Sequence, residues 1–281
     1  MCELFGMSSL QPATIQLSFK EFSRHGGLTG AHKDGWGIAF YEGSDVRLMR
    51  EPGAASDSAL ARFVQEHPPA SCLVVSHIRK ATQGSNNLAN CQPFARELGG
   101  RMHVFAHNGH FDRETLALQF PLGVYRPVGD GDSEYAFCAL LDRMRTLWLR
   151  ANELPPVEER LKIVAKFARQ IRPLGPSNFL YADSDTLFVH GHKRTHAGGI
   201  HPPGLHVLHR RCEQPPATFR AEGLAIALGT ERQEVVLAAS VPLTAEEPWQ
   251  PLEEGEILAL RKGEIIGRAL ASPHDAGTQP H

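Results

Sequence analysis

Cys2 is the residue of this chain whose position has the clearest chemical consequence. Removal of Met1 would leave Cys2 with a thiol and a free α-amine on the same residue. The amine titrates near pKa ~7.7–8.0 and the thiol near ~8.5, so the amine can serve as a general base for the thiol at neutral pH. This pattern favours a terminal cysteine nucleophile. The alternative is a penultimate cysteine that only begins a strand.

Arg79 follows the apolar run Cys72–Ser76, which is typical of a buried strand. An arginine at a strand end can bind a carboxylate in bidentate fashion through its planar guanidinium. The alternative is an arginine at the rim of the fold with a surface partner. Thr82, three residues further on, reads by itself as a loop residue.

Asn108 and Gly109 follow the predicted strand Met102–Ala106. Asn108 offers an amide donor, and Gly109 offers a backbone N–H that no side chain obstructs. Together they could form an oxyanion hole, the set of donors that stabilises the charge of a tetrahedral intermediate. The alternative is an Asn-Gly turn that joins a strand to a helix.

Asp132 lies at the predicted start of a helix. An aspartate there can cap the helix, or it can act as the counter-ion of a substrate ammonium group. The glycine-punctuated loop from His32 to Gly37 could bring its backbone close to a ligand, or it could be a turn anchored by Trp36. The histidines near residues 192–201 lie in a predicted loop, so we expect neither a metal site nor a cofactor.

The order of these motifs closely resembles the class II glutamine amidotransferases, which belong to the N-terminal-nucleophile hydrolases. The resemblance covers roughly residues 2–140, and the later strands continue it more loosely. The His-x-Asp-Gly-Trp-Gly loop and the lack of an appended synthase region are similar to the small stand-alone subgroup, the YafJ-like proteins. The motifs that carry the resemblance are Cys2, Ser76-His77-Ile78-Arg79-Lys80-Ala81-Thr82, His107-Asn108-Gly109 and Gly131-Asp132-Ser133-Glu134.

The resemblance implies a role for each of six residues and a fold for the chain. The fold is α+β, a four-layer α/β/β/α sandwich of the N-terminal-nucleophile hydrolase type. The six roles are Cys2 as nucleophile, Asn108 and Gly109 as oxyanion hole, Arg79 with Thr82 nearby at the glutamine α-carboxylate, and Asp132 at the α-ammonium.

The loops depart from the synthase-linked members of the family, which leaves the substrate open. Lys80 and Gln83 stand where those members usually have tryptophan and histidine, and Lys33 and Trp36 replace an arginine-containing loop. The substrate could be glutamine, hydrolysed through a γ-glutamyl thioester on Cys2, or a γ-glutamyl bond in a peptide or conjugate. A separate protein could accept the ammonia. The non-enzyme alternative is a catalytically silent binding or regulatory subunit.

Hydrophobic patterning predicts runs of strands with the helices clustered between them, which favours α+β over strict βαβ alternation. We expect one domain over residues 2–270 and a disordered tail over residues 271–281. The predicted early elements are a strand from Cys2 to Ser8, a helix from there to about Arg24, a hairpin from Gly37 to Met49 and a helix from Ser56 or Asp57 to about Glu66. The predicted later elements are helices from Asp132 or Ser133 to Trp148 and over Val157–Ile171, five short strands between Asn178 and Ser240, and a hairpin from Glu256 to Gly267.

Composition narrows the function classes. The 29 Lys and Arg nearly balance the 31 Asp and Glu, for a net charge of −2. The chain lacks the basic excess of a general nucleic-acid or anionic-membrane binder, and no apolar run is long enough to span a bilayer. The N-terminus carries no signal-peptide pattern, so we expect a cytoplasmic protein. Five cysteines without CxxC spacing argue against a disulfide framework.

Overall fold

Two antiparallel sheets are the frame of this protein, whose computed structural model describes residues 2–17, 34–79, 85–151, 153–212, 218–221, 224–227, 232–244 and 247–270. The first sheet has nine strands, and its main path runs in the order β15-β11-β14-β1-β4-β2-β3, with β13 on β1 and β12 on β13. Its strands are β1 (Glu3–Leu17), β2 (Trp36–Glu42), β3 (Asp45–Glu51), β4 (Ala70–Ile78), β11 (His206–Cys212), β12 (Thr218–Ala221), β13 (Leu224–Ala227), β14 (Gln233–Ala239) and β15 (Gln250–Pro251).

The second sheet has six strands in the order β17-β16-β8-β7-β6-β5. These strands are β5 (Phe94–Leu98), β6 (Arg101–Gly109), β7 (Ser177–Ala182), β8 (Leu187–His190), β16 (Glu256–Arg261) and β17 (Glu264–Leu270). A separate small hairpin pairs β9 (Arg194–His196) with β10 (Gly199–His201). The helices are α1 (Ala59–Glu66), α2 (Arg113–Gln119), α3 (Asp132–Arg150) and α4 (Val157–Ile171).

Alternation along the strands divides the apolar side chains among three clusters. One cluster lies between the two sheets and includes Leu4 of β1 and Ala106 of β6. Successive side chains of a strand point to opposite faces, so Phe105 joins a second cluster with α3 and α4. Val74 joins a third with α1. The layers are therefore helix, sheet, sheet and helix, which confirms the predicted α/β/β/α sandwich.

The first strand differs from the prediction. A helix was expected after Ser8, but β1 continues without a break from Glu3 to Leu17. Ala13 and Ile15 are buried at a spacing of two, which is the period of a strand. After an irregularity in register between Ser8 and Ala13, Ala13 and Thr14 pair with β4, and Thr14 to Leu17 pair with β13. This pairing keeps the end of β1 in the sheet. The rest of the predicted helix, residues 18–24, lies outside the described residues.

Most other predicted elements are confirmed, including the hairpin of β2 and β3, the buried strand β4, the helices α3 and α4 and the hairpin of β16 and β17. Helix α1 begins later than predicted, because Ser58 is its N-cap and accepts a hydrogen bond from the backbone N–H of Ala61. Strand β5 was not predicted. In the described part of the chain, no helix is long and apolar enough to span a membrane. The predicted disordered tail lies outside the described residues.

Candidate active site

One end of the space between the sheets brings together residues that are far apart in the chain. Strand β1 pairs with β4 through Glu3 and Ile78, and with β14 through Phe5 and Ala239. The residues immediately beyond these pairs are Cys2, Arg79 and Ser240. The three therefore lie at the same edge of the first sheet. Asn108 of β6 faces this edge from the second sheet.

Asn108 contacts Cys2 directly. Its Nδ2 donates a hydrogen bond to the Cys2 carbonyl oxygen at 2.6 Å, across 106 residues of sequence. Nδ2 also lies 3.5 Å from the Ser240 Oγ. The Asn108 side chain is 2% exposed, so this amide is oriented within a buried environment. The structure thus brings the Asn108 side chain onto the backbone of Cys2, the predicted nucleophile.

Residues that the sequence analysis did not single out hold this contact in place. Ser240 Oγ accepts a hydrogen bond from the Leu4 N–H at 3.0 Å, and the Ser240 N–H donates to the Leu4 carbonyl at 3.1 Å. The guanidinium of Arg194 donates to the Ser240 carbonyl. Asn178 Nδ2 donates to the Asn108 carbonyl at 3.1 Å. The available signal was a polar residue at the end of an otherwise apolar strand, as in the run Val235–Ser240.

Gly109 sits where a larger residue cannot. A Cβ at this position would lie 1.7 Å from the Pro176 carbonyl oxygen and 2.5 Å from His107 Nε2. Gly109 also pairs with Ser177, so His107, Asn108 and Gly109 form the last residues of β6. These residues were expected to follow the strand, and the alternative of an Asn-Gly turn is wrong. Pairing with β7 extends the strand through them.

His107 is a buried residue behind the Asn108 strand end. Burial lowers the pKa of His107, an effect that the nearby Asp132 carboxylate partly offsets. Its Nδ1 lies 2.9 Å from the Ser133 Oγ, and its ring stacks on Phe111 with centroids 4.6 Å apart. The amide of Gln92 brackets its backbone, accepting from the His107 N–H at 2.6 Å and donating to the His107 carbonyl at 3.2 Å. These contacts fix the position of His107 near the end of β6.

Asp132 is the first residue of α3, and the N-cap position belongs to Gly131, which has no side chain to cap the helix. One Asp132 oxygen accepts from the Phe111 N–H at 2.6 Å, and the other accepts from the Ser133 N–H at 2.8 Å. His110 Nδ1 lies 3.8 Å from the same carboxylate. The Ser133 Oγ also donates to this carboxylate, at 3.3 Å. A carboxylate can accept about four hydrogen bonds, so Asp132 retains one acceptor position beyond these three.

Arg79 is 6% exposed, and its backbone is held by the segment before β2. Its N–H donates to the Gly35 carbonyl at 2.8 Å. Its Nη1 donates to the carbonyl oxygens of Asp34, at 3.4 Å, and of Ser85, at 3.3 Å. Arg79 is therefore buried, and the alternative of an arginine at the rim with a surface partner is wrong. Thr82, the other predicted carboxylate contact, lies outside the described residues.

The histidines considered for a metal site have other partners. His196 stacks on His201 with ring centroids 4.3 Å apart, and His192 Nε2 lies 3.3 Å from a carboxylate oxygen of Glu254. In the described ranges, no three His, Cys, Asp or Glu residues are grouped so that they could hold a metal ion.

Comparison with known proteins identifies the family of this chain. The family described as "Glutamine amidotransferases class-II" matches residues 1–280. The chain is 38% identical to YafJ of Escherichia coli (strain K12) over 270 residues, which is 95% of this chain and 100% of YafJ.

Solved structures extend the likeness to three dimensions. The chain is 36% identical to a predicted glutamine amidotransferase from Pseudomonas aeruginosa PA01, with a TM-score of 0.69, covering 94% of this chain and 99% of that one. The glutamine phosphoribosylpyrophosphate amidotransferase from B. subtilis is 14% identical with a TM-score of 0.59, covering 97% of this chain and 50% of that one, and shares the fold. On its sequence and its fold together, this chain belongs to the class II glutamine amidotransferases.

Proposed function

We propose that this protein hydrolyses the side-chain amide of glutamine, with Cys2 as the nucleophile and residues 2–270 acting as one domain. The observation that carries the proposal is the hydrogen bond from Asn108 to Cys2, at the edge where both sheets meet. It joins a thiol-bearing residue to a buried amide donor, which are the two groups that amide hydrolysis through a thioester requires.

The reaction divides into two steps. After removal of Met1, the α-amine of Cys2 takes the thiol proton, and the sulfur attacks the amide carbon of glutamine. The resulting oxyanion collapses and expels ammonia, which leaves with the proton held by the amine. A γ-glutamyl thioester remains on Cys2. Water then attacks the thioester to release glutamate and restore the thiol.

Asn108 and Gly109 are assigned to the oxyanion. Asn108 Nδ2 carries two hydrogens, and one of them is bonded to the Cys2 carbonyl. The 3.5 Å contact with Ser240 Oγ is the weaker one and is the one that the oxyanion would replace. Because Nδ2 is buried and oriented before the reaction, little reorganisation is needed when the charge develops.

Arg79, Thr82 and Asp132 are assigned to the amino-acid end of the substrate. Arg79 would bind the α-carboxylate through its planar guanidinium, with Thr82 beside it. Asp132 would accept a hydrogen bond from the α-ammonium, because the bonds from the backbone do not use all of its acceptor positions. The ammonia would pass to water or to a separate acceptor protein. We place the reaction in the cytoplasm, where reducing conditions keep Cys2 as a thiol.

The test compares the Cys2→Ala variant with the control variant Cys72→Ala, which removes a thiol at another position. We expect Cys2→Ala to reduce glutamine hydrolysis to background, and the wild-type mass to show that Met1 has been removed. Cys72 is the control, because it is also half-buried and burial raises the pKa of its thiol. Cys72→Ala should retain activity.

Three outcomes would contradict the proposal. Full activity in protein that still carries Met1 would exclude the α-amine as base. Preference for a γ-glutamyl peptide over glutamine would assign the other acyl donor. Hydrolysis of neither compound would favour a silent binding or regulatory subunit. Intact-mass measurement together with steady-state kinetics on both substrates distinguishes these outcomes.

A further inference from the structure

Asn90 joins the segment behind Arg79 to the loop in front of Asp132. It lies in the turn between β4 and β5 and is 4% exposed. Its Nδ2 donates to the Ser85 carbonyl at 2.8 Å and also to the Asp130 carboxylate. Its Oδ1 accepts from the backbone N–H groups of Asp130, at 3.1 Å, and Gly131, at 3.2 Å. Both ends of this buried amide are therefore used.

On each side, the partners of the Asn90 amide lead to one of the two charged residues that are proposed to bind the substrate, Arg79 and Asp132. The Ser85 carbonyl, which Asn90 holds, also accepts from Arg79 Nη1 at 3.3 Å. Gly131, which Asn90 holds through its N–H, immediately precedes Asp132. The Ser85 carbonyl is thus the one group between Asn90 and Arg79, and the Gly131–Asp132 peptide bond joins the Asn90 partner Gly131 to Asp132.

The loop before Asp132 is shaped to receive Asn90. A Cβ on Gly129 would lie 2.2 Å from the Asn90 Oδ1, so glycine allows the loop to approach this closely. The Asp130 carboxylate completes the contact by accepting from the Ser85 Oγ at 3.0 Å. Hydrogen bonding from Asn90 and Ser85 keeps the pKa of Asp130 below its usual value. The Asn90 amide therefore has a hydrogen-bond partner at Ser85 on one side and in the loop before Asp132 on the other.

We propose that Asn90 is a positioning residue that sets the separation between Arg79 and Asp132, and so selects substrates carrying both an α-carboxylate and an α-ammonium. The inference rests on the proposed function, because it uses the roles given there to Arg79 and Asp132. Asn90 contacts neither Cys2 nor Asn108 in the described structure, so its effect should fall on substrate recognition and not on bond breaking.

Asn90→Ala tests the proposal through a ratio of substrates. We expect KM for glutamine to rise about tenfold, with kcat changing less than about twofold, because the reacting groups stay in place. For a glutamine analogue that lacks the α-amine, KM should change far less. The preference for glutamine over this analogue should therefore fall about tenfold. A residue that only stabilises the fold would lower activity on both substrates and leave this ratio unchanged.

Asn87 provides the matched control. It is exposed and lies in the same turn, where its side chain accepts from the Asn90 N–H at 3.0 Å and donates to the Ser85 Oγ at 2.8 Å. No described hydrogen bond joins it to the loop before Asp132. Asn87→Ala should leave the substrate ratio within about twofold of wild type, since the amide bridge remains.

A second pair of variants keeps the test valid if Asn90→Ala does not fold. Asn90→Asp replaces the amide donor with an anion that faces Asp130. It should therefore raise KM for glutamine at least as much as Asn90→Ala does. Combining Asn90→Asp with Asp130→Asn restores one donor and one acceptor across the bridge. The double variant should recover part of the substrate ratio. No recovery, or a loss in kcat with KM unchanged, would overturn the proposal.

The proposed function and this inference can fail separately. Glutamine should protect the Cys2 thiol from alkylation by iodoacetamide, and mass spectrometry reports this protection without any turnover. If wild type hydrolyses no glutamine but Asn90→Ala weakens protection about tenfold, the inference stands and the proposed activity does not. If wild type is active and Asn90→Ala leaves both KM and protection unchanged, the inference alone is wrong.

Discussion

At the scale of single residues, Asn108 connects the sequence motif to the proposed chemistry. Its amide touches the Cys2 carbonyl and lies near Ser240, while its backbone carbonyl accepts from Asn178. Asn108 is therefore held both at its side-chain Nδ2 and at its backbone carbonyl. A donor held in this way acts mainly on the charge that develops in the transition state.

Replacing Asn108 by alanine should lower kcat for glutamine by about 10²–10³-fold, the usual cost of one oxyanion donor. KM should change much less, because the substrate in its ground state gains little from this donor. Steady-state kinetics measure both constants, and urea unfolding verifies that the variant is folded. A raised KM with an unchanged kcat would instead place Asn108 in substrate binding.

Asp132 poses a different question, because its oxygens already anchor the Phe111 and Ser133 backbones. Asp132→Asn removes the charge but keeps one acceptor. If Asp132 binds the α-ammonium, kcat/KM for glutamine should fall about tenfold or more, as expected for a charge-assisted hydrogen bond. For the analogue without the α-amine, kcat/KM should fall far less. Equal losses on both substrates would mean that Asp132 serves only to anchor the backbone.

At the scale of elements, strand β6 shows how alternation assigns neighbouring residues to different tasks. Ala106 and Asn108 point into the space between the sheets, whereas His103 and Phe105 point to the helical layer. His103 Nε2 lies 3.1 Å from the Leu98 carbonyl, and Nδ1 lies 2.7 Å from the Tyr181 hydroxyl. A carbonyl can only accept, so Nε2 carries a proton, and in the neutral ring Nδ1 accepts from the Tyr181 hydroxyl.

Burial lowers the pKa of His103 from 6.5 to about 3. The unfolded chain therefore binds more protons than the folded protein between these values, and the free energy of unfolding falls as the pH is lowered through this window. His103→Gln should flatten this dependence by up to about 1.4 kcal/mol per pH unit below the unfolded pKa. Urea unfolding at pH 7 and pH 5 checks this. If the variant shows the same dependence of the unfolding free energy on pH, His103 has the same pKa in the folded and unfolded states.

At the scale of the whole molecule, the packing of two sheets explains why the site lies where it does. Cys2, Arg79 and Ser240 come from three neighbouring strand ends of one sheet, and Asn108 comes from β6, between β5 and β7 of the other. Pairing within the first sheet places Cys2, Arg79 and Ser240 at one edge, and the stacking of the second sheet brings Asn108 to it. The apolar cluster between the sheets thus stabilises the packing that places Asn108 against Cys2.

The local sequence by itself determined much of this protein. Apolar runs marked β4 and β14, amphipathic periodicity marked α4, and short polar turns marked the hairpins, because each of these signals is contained within a few neighbouring residues. The ordered motifs around Cys2, Arg79, Asn108 and Asp132 also indicated the family, since residue types and order are properties of the sequence alone.

Only the tertiary structure decided where β1 ends, where β6 ends and which polar groups meet. Strand β1 runs on to Leu17 because β13 pairs with its last four residues, and β6 includes Asn108 and Gly109 because β7 pairs with them. Neither partner is near in sequence, and strand formation depends on such partners more than on local preference. For the same reason no motif could reveal that Asn90 joins Ser85 to Gly131, since this bridge exists only when two loops are packed together.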